Sequence, residues 1–310
     1  MTRCLAFLFA FLVGAASAAE PSLPDTLKAA RRIVFLGDSI TASGQYVAFF
    51  DAWLLSQPLM PRPTVIDCGL ASETISGLSE DGHAGGKFPR PDLFERLDRV
   101  LKVAQPDLVF ACYGINCGIY QPFSEERFAA YQNGAKKLKQ TVEDRGAKII
   151  FITPPFYDDL RSPKKFSYNE VLDRYSAWLV GQRDQGWQVV DLHKVMTEEV
   201  KLRRKSEEKF TFQPDGVHPN EDGHWFMAKQ LIAAFGDLTL AEAPTPEAMI
   251  QAKKLPDGIL KLVRERTNVL RDAYVGAAGH KRPGVAKGLP LEEAEAKAGE
   301  LTKKIEAAIK

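Results

Sequence analysis

Residues 32–41 read RIVFLGDSIT. Ile33, Val34, Phe35 and Leu36 form a short unbroken run of β-branched, aromatic and aliphatic residues, and Gly37 closes it before the polar Asp38-Ser39. A run without polar alternation predicts a strand covered on both faces, as in a parallel sheet, and the glycine lets the chain turn sharply at its carboxyl end. Four further segments have the same character: Thr64–Cys68 (TVIDC), Asp107–Tyr113 (DLVFACY), Lys148–Thr153 (KIIFIT) and Trp187–Leu192 (WQVVDL). Helical patterns lie between them. Phe128, Tyr131, Ala135, Leu138 and Val142 recur at spacings of three and four, as do Leu93, Leu97, Val100 and Leu101, and Val171, Leu172, Tyr175, Trp178 and Leu179. Alternation of strand and helix predicts an α/β fold with a five-stranded, doubly wound parallel sheet.

Composition narrows the function. The 310 residues carry Lys+Arg 41 against Asp+Glu 40, a formal charge of +1. No basic excess points to nucleic acid or to bulk attraction to an anionic membrane. Hydrophobic content of 45% with 26% charged residues is that of a globular chain, not of a disordered or polytopic membrane protein.

The first residues read as an address. Arg3 precedes the apolar stretch CLAFLFAFLVGAA, Cys4 to Ala16, and Ala16-Ser17-Ala18 supplies a small-x-small site. This is the pattern of a secretory signal peptide over residues 1–18, too short to span a bilayer comfortably, so an exported, periplasmic or extracellular protein without a stable membrane anchor is expected. Cys68, Cys112 and Cys117 follow it. An odd number of thiols permits one bridge at most and excludes a disulfide scaffold, with the pairing left open. No CxxC or HxxxH spacing suggests zinc. After a domain-sized unit over residues 19–240, the Pro-rich break Ala243-Pro244-Thr245-Pro246 opens a second region, 241–310. It contains a helical pattern from about Glu247 to Tyr274, a Gly/Pro-rich loop from Gly276 to Pro290, and a last segment of strong helix formers. Ile259, Leu262, Val263 and Leu270 give this extension an apolar face, so it is expected to pack on the main domain, limiting access for large substrates without doing chemistry.

Reactive groups in such folds gather beyond the carboxyl ends of the strands. Ser39 stands there after the first strand. A serine hydroxyl needs a base to act as a nucleophile. Far along the chain, Pro214-Asp215-Gly216-Val217-His218-Pro219 places a carboxylate three residues before an imidazole. In a turn, that spacing lets Asp215 hold the inner ring N–H of His218, leaving the outer nitrogen to take a proton from serine. Gly69 closes the second strand, and Asn116, in Gly114-Ile115-Asn116, the third. A backbone N–H and a side-chain amide are suitable donors to an oxyanion.

Together these four blocks resemble the SGNH (GDSL-type) hydrolase family, over about Arg31 to Phe235. The resemblance implies a three-layer, flavodoxin-like α/β/α sandwich. It implies a triad of Ser39, His218 and Asp215, an oxyanion hole of the Ser39 N–H, the Gly69 N–H and the Asn116 side chain, and neither metal nor cofactor. Within the family it is similar to a branch of exported bacterial hydrolases that often carry Asp after the block-three Asn, where this chain has Cys117. Block two also departs, with Asp67-Cys68-Gly69 in place of Asn-x-Gly. The expected function is a secreted serine esterase acting on short acyl esters, acetyl foremost, of a small ester or acylated glycan. The alternatives are a lipase or thioesterase for longer chains, a non-catalytic glycan-binding envelope protein, or an acyltransferase using the same triad. His83, in the glycine-rich loop 81–86, reads as a solvated residue near the mouth. Tyr113 and Tyr157 sit at strand ends where they serve either stacking on substrate or the core. Ser72 and Thr74 serve as pocket or capping groups, and His224 and Trp225 as structural residues of the last helix.

Overall fold

The computed structural model describes residues 25–162 and 164–310; the signal-peptide reading of residues 1–18 lies outside them. Five strands, β1 (Arg32–Gly37), β2 (Thr64–Asp67), β3 (Leu108–Cys112), β4 (Lys148–Ile152) and β5 (Gln188–Val190), form one parallel sheet in the order β2-β1-β3-β4-β5. All five lie where the apolar runs predict them. Every residue of β3 is buried, which is why its sequence shows no alternation. Phe35 pairs in register with Phe110, and their rings stack at 4.6 Å.

The longer helices are α1 (Gln45–Leu54), α2 (Leu97–Ala104), α3 (Glu125–Glu143), α4 (Tyr168–Gly181), α5 (Leu192–Arg203), α6 (Glu221–Ala234), α7 (Ile259–Ala278) and α8 (Leu291–Ala308). In α3 the side chain of Ser124 caps the first turn by accepting from the Arg127 N–H, and Glu125 and Glu126 complement the helix dipole. Of the predicted stripe, Tyr131, Ala135, Leu138 and Val142 are buried and Phe128 is half-buried. Leu93 is not part of α2: it lies in a separate 3₁₀ turn, Leu93–Glu95, capped by the side chain of Asp92. The result is a three-layer α/β/α architecture.

Two features position the site. The chain steps outward from β1 to β2 and then returns to place β3 on the other side of β1. The segments leaving β1 and β3 therefore diverge around a crevice at their carboxyl ends, the usual place for a ligand in an open α/β sheet. The second feature is the C-terminal region. Its first helical pattern is broken into Pro246–Ala252 and α7, because Pro256 lacks the N–H that a continuous helix needs. Helix α7 packs against α1, α2 and the edge strand β2, and α8 packs on α7. An edge strand left open is a pairing hazard, and α7 covers this one. Polar ties reinforce the packing: the Arg32 guanidinium donates to the Tyr274 hydroxyl at 2.6 Å, Arg99 to the Ala278 carbonyl at 2.6 Å, and Arg266 to Asp51 at 2.8 Å. Burial of Ile259, Val263 and Leu270 contributes about 1.5–3 kcal/mol each.

Candidate active site

Ser39 is the first residue of a one-turn helix, Ser39–Ala42, that begins as β1 ends. The buried Asp38 side chain caps this turn, accepting from the Ile40 N–H at 3.0 Å. Burial pushes the Asp38 carboxyl up to about 6, against the opposing pull of that N–H, His218 and Arg90. The Ser39 Oγ lies 2.8 Å from His218 Nε2. On the other side of the ring, Nδ1 is 2.7 Å from Asp215 Oδ2. The second oxygen, Oδ1, accepts from the backbone N–H groups of Val217 at 2.9 Å and His218 at 2.7 Å. The carboxylate thus folds its own turn and orients the ring with different atoms. Partial burial raises the Asp215 pKa, but the hydrogen bonds from the His218 ring and the two amides more than offset this, and the carboxyl is held below its usual range.

The position of the 215–218 turn depends on Gly216. It has φ +89°, and a Cβ there would come within 2.4 Å of the Ser162 side chain. Its N–H donates to the Gln213 carbonyl and its carbonyl accepts from the Asp158 N–H. Asp158, fully buried, is in turn hydrogen bonded by Arg204 and Thr211.

The two expected oxyanion donors differ. Asn116 is buried beyond β3, with its Oδ1 accepting from the Tyr120 hydroxyl at 3.0 Å. Its Nδ2 donates to the Glu73 carbonyl at 3.3 Å, so one of its two N–H bonds remains for a ligand. Gly69 is not presented in this way. Its N–H donates to the Asp67 Oδ1 at 2.8 Å, and a Cβ at Gly69 would sit 2.3 Å from the Ala42 nitrogen. The glycine is needed for close packing beneath the serine turn, and its amide is engaged within β2's own end. Ser72, three residues on, holds a left-handed φ of +70°.

Several residues of the site have no local signal in the sequence. Arg96 and Glu73, both fully buried, pair through two hydrogen bonds of 2.6 and 2.8 Å. Arg96 also donates to the Cys68 carbonyl at 2.7 Å, and the Tyr113 hydroxyl donates to Glu73 at 2.6 Å. This network ties the ends of β2 and β3 together behind Asn116. Near the mouth, Arg90 forms a two-pronged pair with Glu80 and lies 5.1 Å from the Tyr120 ring centre. His83 leans on the same Glu80 at 3.1 Å and packs edge-on against Phe88. Tyr113 and Tyr157 are buried, so they serve the core. Thr74 bridges to the segment before α2 through its backbone. His224 is buried, with Nε2 3.1 Å from Ser43 Oγ, and the Trp225 indole donates to the Ala243 carbonyl at 2.9 Å.

Cys68, Cys112 and Cys117 are free and buried, so the possible bridge is absent among the described residues. The Cys117 sulfur is approached by the Ile75 and Ser76 N–H groups, while burial dominates and pushes its thiol up to about 12. Among the described residues no cluster of three or more His, Cys, Asp or Glu is placed to hold a metal, and no helix is long and apolar enough to cross a membrane.

An α/β sheet with serine, histidine and aspartate hydrogen bonded in series at its carboxyl edge has the arrangement of a serine hydrolase. Comparison with known proteins gives the family. Residues 35–226 match the GDSL-like Lipase/Acylhydrolase family, and the chain belongs to it, as a hydrolase acting on esters. It is 29% identical over 213 residues to the thioesterase 1/protease 1/lysophospholipase L1 of Escherichia coli (strain K12), covering 66% of this chain and 84% of that protein. Among solved structures, the acetylxylan esterase Axe2 of Geobacillus stearothermophilus, as a catalytic mutant, superposes with a TM-score of 0.51 at 20% identity, over 66% of this chain and 94% of that one. A gut microbial diltiazem-metabolizing enzyme superposes with a TM-score of 0.54 at 23% identity, over 71% of this chain; this chain spans about half of that enzyme, 49%. These likenesses establish the fold.

Proposed function

We propose that the protein is an exported serine esterase that removes short acyl groups, acetyl foremost, from carbohydrate. The observation that carries this reading is the unbroken series Ser39 Oγ–His218–Asp215, with separations of 2.8 and 2.7 Å. Ser39 attacks the ester carbonyl carbon while His218 Nε2 takes the hydroxyl proton, and Asp215 holds the ring in the tautomer with the proton on Nδ1. The developing oxyanion is met by the Ser39 N–H and the free Nδ2–H of Asn116. His218 then protonates the leaving alkoxide. Water, deprotonated by the same nitrogen, attacks the acyl-serine, and the carboxylic acid departs as Ser39 recovers its proton. No step needs a metal or cofactor.

The acetyl and carbohydrate assignments draw support from the fold shared with an acetylxylan esterase. Export draws support from the leader-like residues 1–18, which precede the hydrolase unit 19–240 and the extension 241–310. The Escherichia coli relative supports a second reading, action on longer acyl chains or thioesters. A series of p-nitrophenyl esters from acetate to palmitate separates them. The first reading expects kcat/KM to be greatest for acetate and to fall steeply beyond butyrate; a maximum at octanoate or longer overturns it.

A further inference from the structure

The turn that carries Ser39 is only four residues long, Ser39–Ala42, and so short a helix has little rigidity of its own. Its surroundings hold it from three directions. Beneath it, Gly69 packs directly against the Ala42 backbone. On one flank, Ser43 Oγ donates to the Ile40 carbonyl and meets His224 Nε2 at 3.1 Å. The third contact comes from outside the family-matched region, from the C-terminal extension. Arg271, on α7, donates from Nη1 to the Ala42 carbonyl at 3.0 Å.

Arg271 is itself prepared for that contact. Nη1 also donates to Asn268 Oδ1 at 3.0 Å, and Nε to Asp272 Oδ1 at 2.9 Å, so two side chains of its own helix fix the guanidinium plane. The Ala42 carbonyl is at the C-terminal end of the serine turn, where a cation complements the unsatisfied carbonyls. Arg271 and Asp67 also converge on one point. A Cβ placed on Gly44 would lie 3.3 Å from Arg271 Nη1 and 3.6 Å from Asp67 Oδ2, the buried oxygen of that carboxyl that has no hydrogen-bond partner. Asp67 is the group that holds the Gly69 N–H beneath the turn. Arg271 therefore contacts the serine turn directly, while its charge acts on the carboxyl that supports the turn, opposing the larger upward push of burial on Asp67.

We propose that Arg271 is a positioning residue for Ser39: by holding the Ala42 carbonyl it fixes the nucleophile's turn relative to His218, which makes the extension a working part of the active site and not only a cover for the sheet edge. The proposal rests on Ser39 being the nucleophile. It departs from the access-limiting role that the extension's sequence suggests, and it fits the clamping of α7 by Arg32 to β1, the strand that delivers Ser39, and by Arg99 to the neighbouring helix α2. Other extension arginines do not share the role. Arg266 is tied to Asp51 and Thr302, on α1 and α8.

The test compares Arg271→Ala, Arg271→Lys and Arg266→Ala in the full chain. The readouts are the rate of covalent labelling of Ser39 by a fluorophosphonate, kcat and KM for p-nitrophenyl acetate, and the melting temperature. Loss of positioning is expected to slow labelling and to lower kcat by roughly ten- to a hundredfold with KM within about twofold, because small misplacements of a reacting group carry costs of this order. Arg271→Lys recovers part of the loss, since one ammonium can reach the carbonyl without the planar fork. Millimolar guanidinium added to Arg271→Ala recovers part as well. Arg266→Ala is expected to lower the melting temperature while leaving both rates of the folded protein unchanged. Wild-type labelling and kcat in Arg271→Ala overturn the proposal, and so does an equal loss of kcat in Arg266→Ala, which makes the effect one of general loosening. Poor turnover of acetate by the wild type bears only on the substrate reading; the labelling rates still decide this one.

Discussion

Replacing Asp215 by Asn removes one charge and changes almost no volume, and the structure allows its effect to be worked through. Oδ1 accepts from two backbone N–H groups, at 2.7 and 2.9 Å, and an amide oxygen placed there keeps both bonds. The amide NH₂ then faces His218 Nδ1, where Oδ2 lies 2.7 Å away in the wild type. An NH₂ opposite Nδ1 requires that nitrogen to accept, which moves the ring proton to Nε2, toward Ser39, and removes the base. The charge matters as well. A carboxylate about 4 Å from the imidazolium centre is worth about 4 kcal/mol at an effective dielectric of 20. The Asp215 and His218 side chains are 57% and 50% exposed, so solvent screening reduces this to about 2 kcal/mol. With a further 1–2 kcal/mol for the wrong tautomer, kcat is expected to fall on the order of 10²–10³-fold. Thermal stability should change little, because the turn keeps its amide bonds. Steady-state hydrolysis of p-nitrophenyl acetate beside a melting curve is the assay. A variant within tenfold of wild type, with an unchanged melting temperature, refutes the role given to the carboxylate.

Other expectations follow from the buried groups. Glu73→Gln leaves the fully buried Arg96 without its counter-charge and is expected to destabilise the fold by about 3–5 kcal/mol in urea titrations; a loss under 1 kcal/mol contradicts the pairing. His224 is held down to about 4 by burial and by the nearby His218, so the unfolded chain takes up its proton first as pH falls from 6.5. Stability tied to neutral His224 is therefore complete above about pH 6.5 and is lost toward pH 4, by about 3 kcal/mol in all. Burial pushes Asp38 and Asp67 up to about 6 and about 7, which acts in the opposite sense over the same range, so the check is the difference between wild type and His224→Gln at pH 7.5 and 4.5. An identical pH dependence in the two proteins counts against it. Burial raises the thiols of Cys68, Cys112 and Cys117, so none should react with a disulfide reagent in the native protein, and all three should react after unfolding in guanidinium without reductant.

The strands were legible because each is a buried apolar run with a polar or glycine stop. The small differences at their ends have local causes: β5 stops at Val190 because Asp191 caps α5 by accepting from the Lys194 N–H. Helix α1 was harder to read. Every residue from Tyr46 to Leu54 is buried, so the sequence carries no polar face to mark a helical period. The spacing of Asp215 and His218 was readable because both belong to one turn. Pairings across long separations were not: Glu73 with Arg96 and Ala42 with Arg271 leave no periodicity behind. Gly69 shows the limit of strand-end reasoning. Its place after β2 suggests a free donor, but Asp67 two residues earlier takes up the amide, a competition decided by the local chain path.

The central claim is that Ser39 carries the chemistry through His218. Its most direct test is turnover of p-nitrophenyl acetate by Ser39→Ala, purified free of host esterases and shown by near-ultraviolet circular dichroism to retain its tertiary structure. The account predicts a fall in kcat on the order of 10⁴–10⁶-fold with the fold intact. A folded variant that keeps a tenth of the wild-type rate would contradict it, and the nucleophile would have to be sought elsewhere.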